Sequence, residues 1–458
     1  MKVANIFRKI FEYKVDKTQT TQQTVQVKFE QHKSEYDKMR GCIVQPNEDI
    51  PEERPIEQQM SPPWECEWVN PNHVYTKEEC DNNPWKVVTN EGVPLSPDLD
   101  FNNSDGKYML KFLQFDSTTF KNTPKENLPK GWNPDEIIEQ GRSIGQNSDK
   151  MHEMGYTGKG ISVAIIDSPI ILHNDLKSSL VSYNKMQNVK HNNSSAYYHG
   201  QAVSDIFVGD NDGVAPDANL YYYAMDGLKL DETKYSEEVL RENYEKTKVD
   251  DKLRALNQII DYNSRCEPKD KIRVISLSWG INKGEYGYEE YKSILKSLYS
   301  DDVFVATGDS NMLDESITGA ILEWNILEKK DQTKPQNDFS NYSFSHNIGD
   351  NPERSLCILS GDRTVASATD PTKYRHDSNS STSWTVPALA GIYTCALQCA
   401  NENGIELTPK LFWEYALKTG VPVNDAEGNF AGKAIDCEAL CKYIETEAQS
   451  KLRTVGSL

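Results

Sequence analysis

From residue 141 onward the apolar positions fall into two alternating rhythms. A short apolar, β-branched run at residues 161–166 and further runs of strand length at 219–225, 272–277 and 303–306 are consistent with buried strands. Between them, apolar residues recur at intervals of three and four: Leu253, Leu256, Ile259 and Ile260 within 249–262, and Tyr291, Ile294, Leu295 and Leu298 within 288–298. Those intervals predict amphipathic helices. Fully apolar strands alternating with such helices predict an α/β fold, a mostly parallel sheet with helices on both faces. Chemistry in such sheets gathers at the carboxyl ends of the strands. No internal repeat and no phosphate-cradling glycine loop interrupts the pattern.

The first 140 residues follow other rules. In 1–15, Val3, Ile6, Phe7, Ile10 and Phe11 stand at helical spacing among Lys2, Arg8, Lys9 and Lys14. This amphipathic basic segment is read as a short docked or frayed helix, in preference to a membrane-surface anchor. It has no uninterrupted apolar stretch and no small-residue cleavage site, so a secretory signal is not expected. Residues 16–60, rich in Gln, Thr, Glu, Lys and Pro, predict a polar linker or arm. Residues 61–140 mix many prolines with Trp64, Trp68, Trp85 and Trp132. Proline cuts helices short while tryptophan needs burial, so an irregular extension packed on the following domain is expected, rather than a tryptophan platform for carbohydrate or peptide. The main domain is assigned to 141–445 and a tail to 446–458.

Composition narrows the partners. The 458 residues carry 50 Lys+Arg against 70 Asp+Glu, a formal charge of −20, which argues against nucleic acid. No run of 18 apolar residues occurs. Nine cysteines without an export signal fit reduced thiols and a cytoplasmic location. Cys395 and Cys399, like Cys437 and Cys441, are one helical turn apart, and are read as helix faces in preference to a four-thiolate zinc site.

Three positions carry candidate chemistry. Asp167 ends the first apolar strand, where a buried anion requires a partner. His199 opens a predicted helix running through Val208, and a carboxylate on the far nitrogen would fix its tautomer. Ser383 stands at the start of another predicted helix, where backbone N–H groups and the helix dipole favour a developing oxyanion. Each alone is ordinary; in the order Asp, His, Ser they match one convergent form of the nucleophilic triad.

With these residues the chain resembles the subtilases, the subtilisin-like serine proteases of peptidase family S8, over roughly residues 150–445. Residues 155–168 resemble the family's aspartate motif and 173–176 its sequel. His199-Gly200 matches the start of the histidine motif, and 213–216 the turn into the next strand. Ser278-Trp279-Gly280 resembles the segment that pairs with substrate, residues 381–391 the nucleophile motif, and 407–409 and 432–436 the closing elements.

The resemblance implies a subtilisin-like fold and a serine endopeptidase. Ser383 would attack the scissile carbonyl, His199 would act as base and then acid, and Asp167 would orient His199. A peptide or protein substrate would lie extended along Ser278, Trp279 and Gly280, with Ala306, Thr307 and Gly308 lining the first specificity pocket. No cofactor is required. Structural calcium is frequent in the family, and Asp210-Asn211-Asp212 offers hard oxygens, but no loop fits a calcium spacing and a solvated turn is preferred, with the metal unassigned.

The chain departs from the family where an oxyanion donor is expected. The usual asparagine is replaced in Ala306-Thr307-Gly308-Asp309-Ser310-Asn311. Three readings stay open: a protonated Asp309, Asn311 as the donor instead, or a weakened site, beside the Ser383 backbone N–H. Ser168-Pro169, Gln201-Ala202 and Ser381 also depart from the motifs. No family prodomain is recognisable in the first 150 residues, so self-cleavage near 130–150 is left open. The expectation is selective processing of a peptide or protein; the alternatives are a weakened or inactive subtilase-fold protein that binds a peptide, and a scaffold whose N-terminal region does the binding.

Overall fold

The computed structural model describes residues 94–111, 113–189, 198–378 and 382–455, all within one compact unit, Ile56–Leu458. Expectations for 1–15, 16–60, 61–93 and Ser381 lie outside the described residues.

Residues 94–140 contain α1 (Ser104–Leu110), β1 (Gln114–Phe115) and α2 (Pro134–Gln140). They close around their own aromatic cluster: Phe101, Phe115, Phe120 and Trp132 are buried with Leu95, Leu99, Leu113 and Ile137. Phe115 meets Phe120 at 5.3 Å and Phe120 meets Trp132 at 4.8 Å, both edge to face.

The main sheet follows. It contains β2 (Ser162–Asp167), β3 (Leu180–Lys185), β4 (Asn219–Ala224), β5 (Ile272–Leu277) and β6 (Phe304–Thr307), in the order β3-β4-β2-β5-β6 with every pair parallel. The four runs predicted as strands are β2, β4, β5 and β6. Val163 to Ile166 are wholly buried, as strands covered on both faces must be.

The helices around it are α3 (Ser148–Glu153), α4 (Tyr198–Val208), α5 (Glu237–Asn263), α6 (Tyr288–Ser300), α7 (Thr382–Glu402), α8 (Pro409–Thr419) and α9 (Cys437–Val455). Both predicted helical stripes are present. In α6, Tyr291, Ile294, Leu295 and Leu298 are the buried face. Helix α5 begins at Glu237, well before the apolar spacing starts, because its first turns are charged and largely exposed; its buried positions run only from Asp251 to Ile259. Such turns are held by helix-favouring Glu, Arg and Lys and by the Ser236 cap, which accepts from the Val239 N–H at 3.5 Å. Helix α7 is buried from Trp384 to Ala400 and packs against β5, β6 and α4. Helix α9 continues through Val455, past residue 445.

A second, mixed sheet is ordered β12-β13-β9-β7-β8, from β7 (Glu323–Lys329), β8 (Tyr342–Asn347), β9 (Ser355–Leu359), β12 (Val421–Asn424) and β13 (Phe430–Ala434). A three-stranded sheet joins β1 to β11 (Tyr374–Asp377) and β10 (Arg363–Ala366). Gln114 pairs with Asp377 in that sheet, and the Ser378 N–H donates to the Leu113 carbonyl at 3.3 Å. The N-terminal extension therefore braces the strand that leads toward α7.

Buried Gln146 fastens the start of the main domain. Its side chain donates to the carbonyls of Cys357 (3.1 Å) and Ile435 (3.0 Å) and accepts from the Leu359 N–H at 2.9 Å. Its own N–H donates to the Tyr342 hydroxyl at 2.9 Å. Among the described residues no helix is long and apolar enough to cross a membrane.

Candidate active site

Asp167 is the last residue of β2. Ser162 to Ile165 pair with β5, but Ile166 and Asp167 pair only with β4, so β2 and β5 part at their carboxyl ends. His199, in the first turn of α4, fills that opening with Nδ1 at 3.0 and 3.1 Å from the two carboxylate oxygens of Asp167. The Ser168 N–H and hydroxyl also donate to Asp167, at 2.7 and 3.0 Å. Burial alone would push this carboxyl up, but His199 and the Ser168 donors outweigh it and hold it below the ordinary carboxylate range. With Nδ1 committed, Nε2 is left facing away from Asp167, buried and without a hydrogen-bond partner.

Two indoles stack on the His199 ring. Trp279, just beyond β5, lies 4.3 Å from its centroid at 25°, and Trp384 lies 5.4 Å away at 30°. Trp384 directly follows Ser383, so the helix turn that carries the candidate nucleophile packs on the imidazole. Ser383 itself is half-buried in the first turn of α7.

The local sequence explains how α7 is held there. Pro387 lies inside the helix and has no N–H, which removes the usual partner of the carbonyl four residues earlier, that of Ser383. The Ser278 hydroxyl donates to that carbonyl at 3.0 Å. Gly308 completes the contact, since a β-carbon there would meet the Ser278 carbonyl oxygen at 2.5 Å. Ser278, Gly308 and Ser383 are thus brought together, and Trp279 joins them through His199. Ala306 and Thr307 are wholly enclosed in β6, leaving Gly308 as the half-exposed member of that trio.

Asp309 is engaged by donors on three neighbouring residues. Its carboxylate accepts from the Asn311 N–H (2.7 Å) and side-chain amide (2.6 Å), from the Thr307 hydroxyl (2.9 Å) and from the Tyr291 hydroxyl (3.1 Å). It also occupies the space that a β-carbon at Gly280 would need. Asn311 spends its amide on Asp309 and on the Ile281 carbonyl at 3.0 Å. The side-chain N–H groups of Asn311 are thus committed to Ile281 and Asp309.

Two lysines at this edge escaped the sequence reading. Lys248 Nζ lies 3.7 Å over the Trp279 ring, and Lys252 Nζ donates to the Gly280 carbonyl at 2.8 Å. Their i, i+4 spacing was visible, but it coincides with the charged part of α5 and carries no chemical signature of its own.

The preferred solvated turn at 210–212 is corrected for Asp212. That residue is buried and its carboxylate meets Arg142 at 2.8 Å. It converges with buried Asp175 and Asp205, with one carboxylate oxygen of each within 4.8 Å of the others. Oδ1 of Asp205 and Oδ2 of Asp212 have no hydrogen-bond partner. Burial and the neighbouring carboxylates push Asp205 well up. Burial raises Asp212 to about 7 against the opposing pull of Arg142. Asp205 was not seen from sequence because it lies inside a helix, in a stretch with no metal spacing. The cysteines at 395, 399, 437 and 441 are buried on α7 and α9. Among the described residues, only the three aspartates converge as possible metal ligands.

The parallel α/β sheet thus carries a buried carboxylate–imidazole pair at its carboxyl edge, with the first turn of the Ser383 helix stacked on the imidazole through Trp384. The subtilase family model matches residues 158–421, more than half of the chain, and the chain belongs to that family of serine endopeptidases. Among solved structures, the prenylagaramide maturation protease PagA is 16% identical, covering 65% of this chain and 98% of its own at a TM-score of 0.43. The subtilase cytotoxin SubAB is 13% identical, covering 69% and 98% at a TM-score of 0.47. The patellamide maturation protease PatA is 14% identical, covering 63% and 98% at 0.41. No curated protein matches the chain significantly in sequence.

Proposed function

We propose that the chain hydrolyses peptide bonds through an acyl-enzyme built on Asp167, His199 and Ser383, and that it processes selected peptide or protein substrates. The observation that supports this is the buried Asp167–His199 pair, whose Nε2 is unpartnered and whose ring stacks on Trp384 in the first turn of α7. Ser383 Oγ attacks the scissile carbonyl carbon while its proton passes to His199 Nε2, and Asp167 stabilises the resulting imidazolium. The same proton then goes to the departing amine as the C–N bond breaks. Water, deprotonated by His199, releases the acyl group. The Ser383 backbone N–H, at the helix start, supplies an oxyanion donor.

Substrate would add as a strand beside Ser278, Trp279 and Gly280. No cofactor takes part. Asp175, Asp205 and Asp212 offer the hard, anionic oxygens that suit a structural calcium ion, which would neutralise three clustered carboxylates. The unpaired described cysteines fit a reducing, cytoplasmic setting.

The commitment of Asp309 and Asn311 elsewhere favours one second reading, a weakened subtilase that binds peptide. Intact-mass spectrometry after fluorophosphonate treatment separates the two. An adduct on the wild type, absent in Ser383→Ala, supports the peptidase; no adduct on a folded chain supports the binding protein.

A further inference from the structure

Lys248 and Lys252 lie one turn apart on α5, and both reach the edge where substrate would lie. Lys248 Nζ sits 3.7 Å over the Trp279 ring, and that indole stacks at 4.3 Å on His199. Ammonium, indole and imidazole thus form one continuous stack from α5 to the reacting centre. Lys252, buried, donates to the Gly280 carbonyl at 2.8 Å.

Neither ammonium has a carboxylate within ion-pair distance among the described residues, although the chain carries 70 Asp and Glu. By contrast, the exposed Lys150, Lys234 and Lys442 each meet a carboxylate. Burial and the neighbouring Lys248 hold Lys252 down at about 8, and burial lowers Lys248. Lys252 spends its charge on the Gly280 carbonyl, but keeping the half-buried Lys248 ammonium without a carboxylate is costly unless an anion arrives to meet it. The indole beneath Lys248 holds the ammonium in place by its ring face and leaves its other donors open.

We propose that Lys248, seated on Trp279, is a specificity-determining residue that binds the carboxylate of an Asp or Glu side chain in the substrate, close to the scissile bond. Lys252 is a positioning residue: it fixes the Gly280 carbonyl and so the segment along which the substrate strand pairs. The inference rests on reading this edge as the peptide-binding edge of a peptidase.

The test uses C-terminally amidated decapeptide pools, randomised except for one fixed residue, Glu or Gln, moved through each position in turn. Amidation removes the terminal carboxylate as a rival anion. At one register relative to the cleaved bond, the wild-type chain is expected to cleave the Glu pool about 10-fold faster than the Gln pool. Lys248→Arg keeps that ratio, Lys248→Met brings it near one, and Lys248→Glu turns the preference toward a pool with fixed Lys. Equal rates for Glu and Gln at every position, or a preference that survives Lys248→Met, overturn the inference.

Capture of the same pools on immobilised Ser383→Ala chain reads binding without turnover. If the wild type cleaves no pool, the peptidase reading fails and capture alone decides: Glu enrichment lost in Lys248→Met supports the subsite, and no enrichment overturns it.

Discussion

The hydroxyl of Ser278 donates to the backbone carbonyl of Ser383 at 3.0 Å, the carbonyl that Pro387 leaves without a helical partner. A residue of the proposed substrate-pairing segment therefore repairs a defect in the helix that carries the candidate nucleophile. Each depends on the other for its position.

That dependence is measurable by urea denaturation. Ser278→Ala strands a half-buried acceptor and is expected to cost about 1–2 kcal/mol. In a Pro387→Ala background the restored N–H can take the carbonyl, so the same Ser278→Ala change should cost under about 1 kcal/mol. Equal costs in both backgrounds would show that the two residues are not coupled.

Asp309 acts here as an acceptor hub for Asn311, Thr307 and Tyr291. Asp309→Asn leaves at least one buried donor unmatched and is expected to lower stability by about 1–3 kcal/mol without raising kcat. A 10-fold gain in kcat with unchanged Tm would mean instead that the native carboxylate faces and repels the oxyanion.

The aspartate cluster predicts a pH dependence. Asp212 is raised to about 7 in the folded chain, and an acid raised on folding stabilises at low pH and loses that contribution as pH climbs through its folded value. Tm should therefore fall between about pH 4 and pH 8, and the fall should flatten in Asp212→Asn. Differential scanning calorimetry across that range reads it directly.

The same cluster predicts a cation response. Near pH 8, calcium should raise Tm and EDTA should reverse the gain, with no such response in Asp205→Asn. A calcium shift that persists in that variant would place the ion elsewhere.

Gln146 gives the sharpest stability prediction. Gln146→Leu keeps the volume but removes the donor to the Ile435 carbonyl and the acceptor of the Leu359 N–H, while the Cys357 carbonyl keeps its bond from the Ile435 N–H, for an expected loss of about 2–4 kcal/mol. Cleavage near residue 146 would break the same fastening, so a nicked chain should unfold at a lower temperature than the intact one.

Periodicity alone determined the parallel sheet, because strands buried on both faces must be apolar throughout and helices on a sheet must show one apolar stripe. Motif context singled out Asp167, His199 and Ser383, because their chemistry needs those residue types at a strand end and at helix starts. The charged start of α5 was illegible, since a helix face in water leaves no hydrophobic signal. Asp309 accepts four bonds from three different residues, a convergence that spacing along the chain does not show. Asp205 and Asp212 meet Asp175, and Lys248 and Lys252 reach Trp279 and Gly280, only because separate helices and loops are packed together. Spacing along a chain records which side a residue faces; which distant residue it faces is decided by packing.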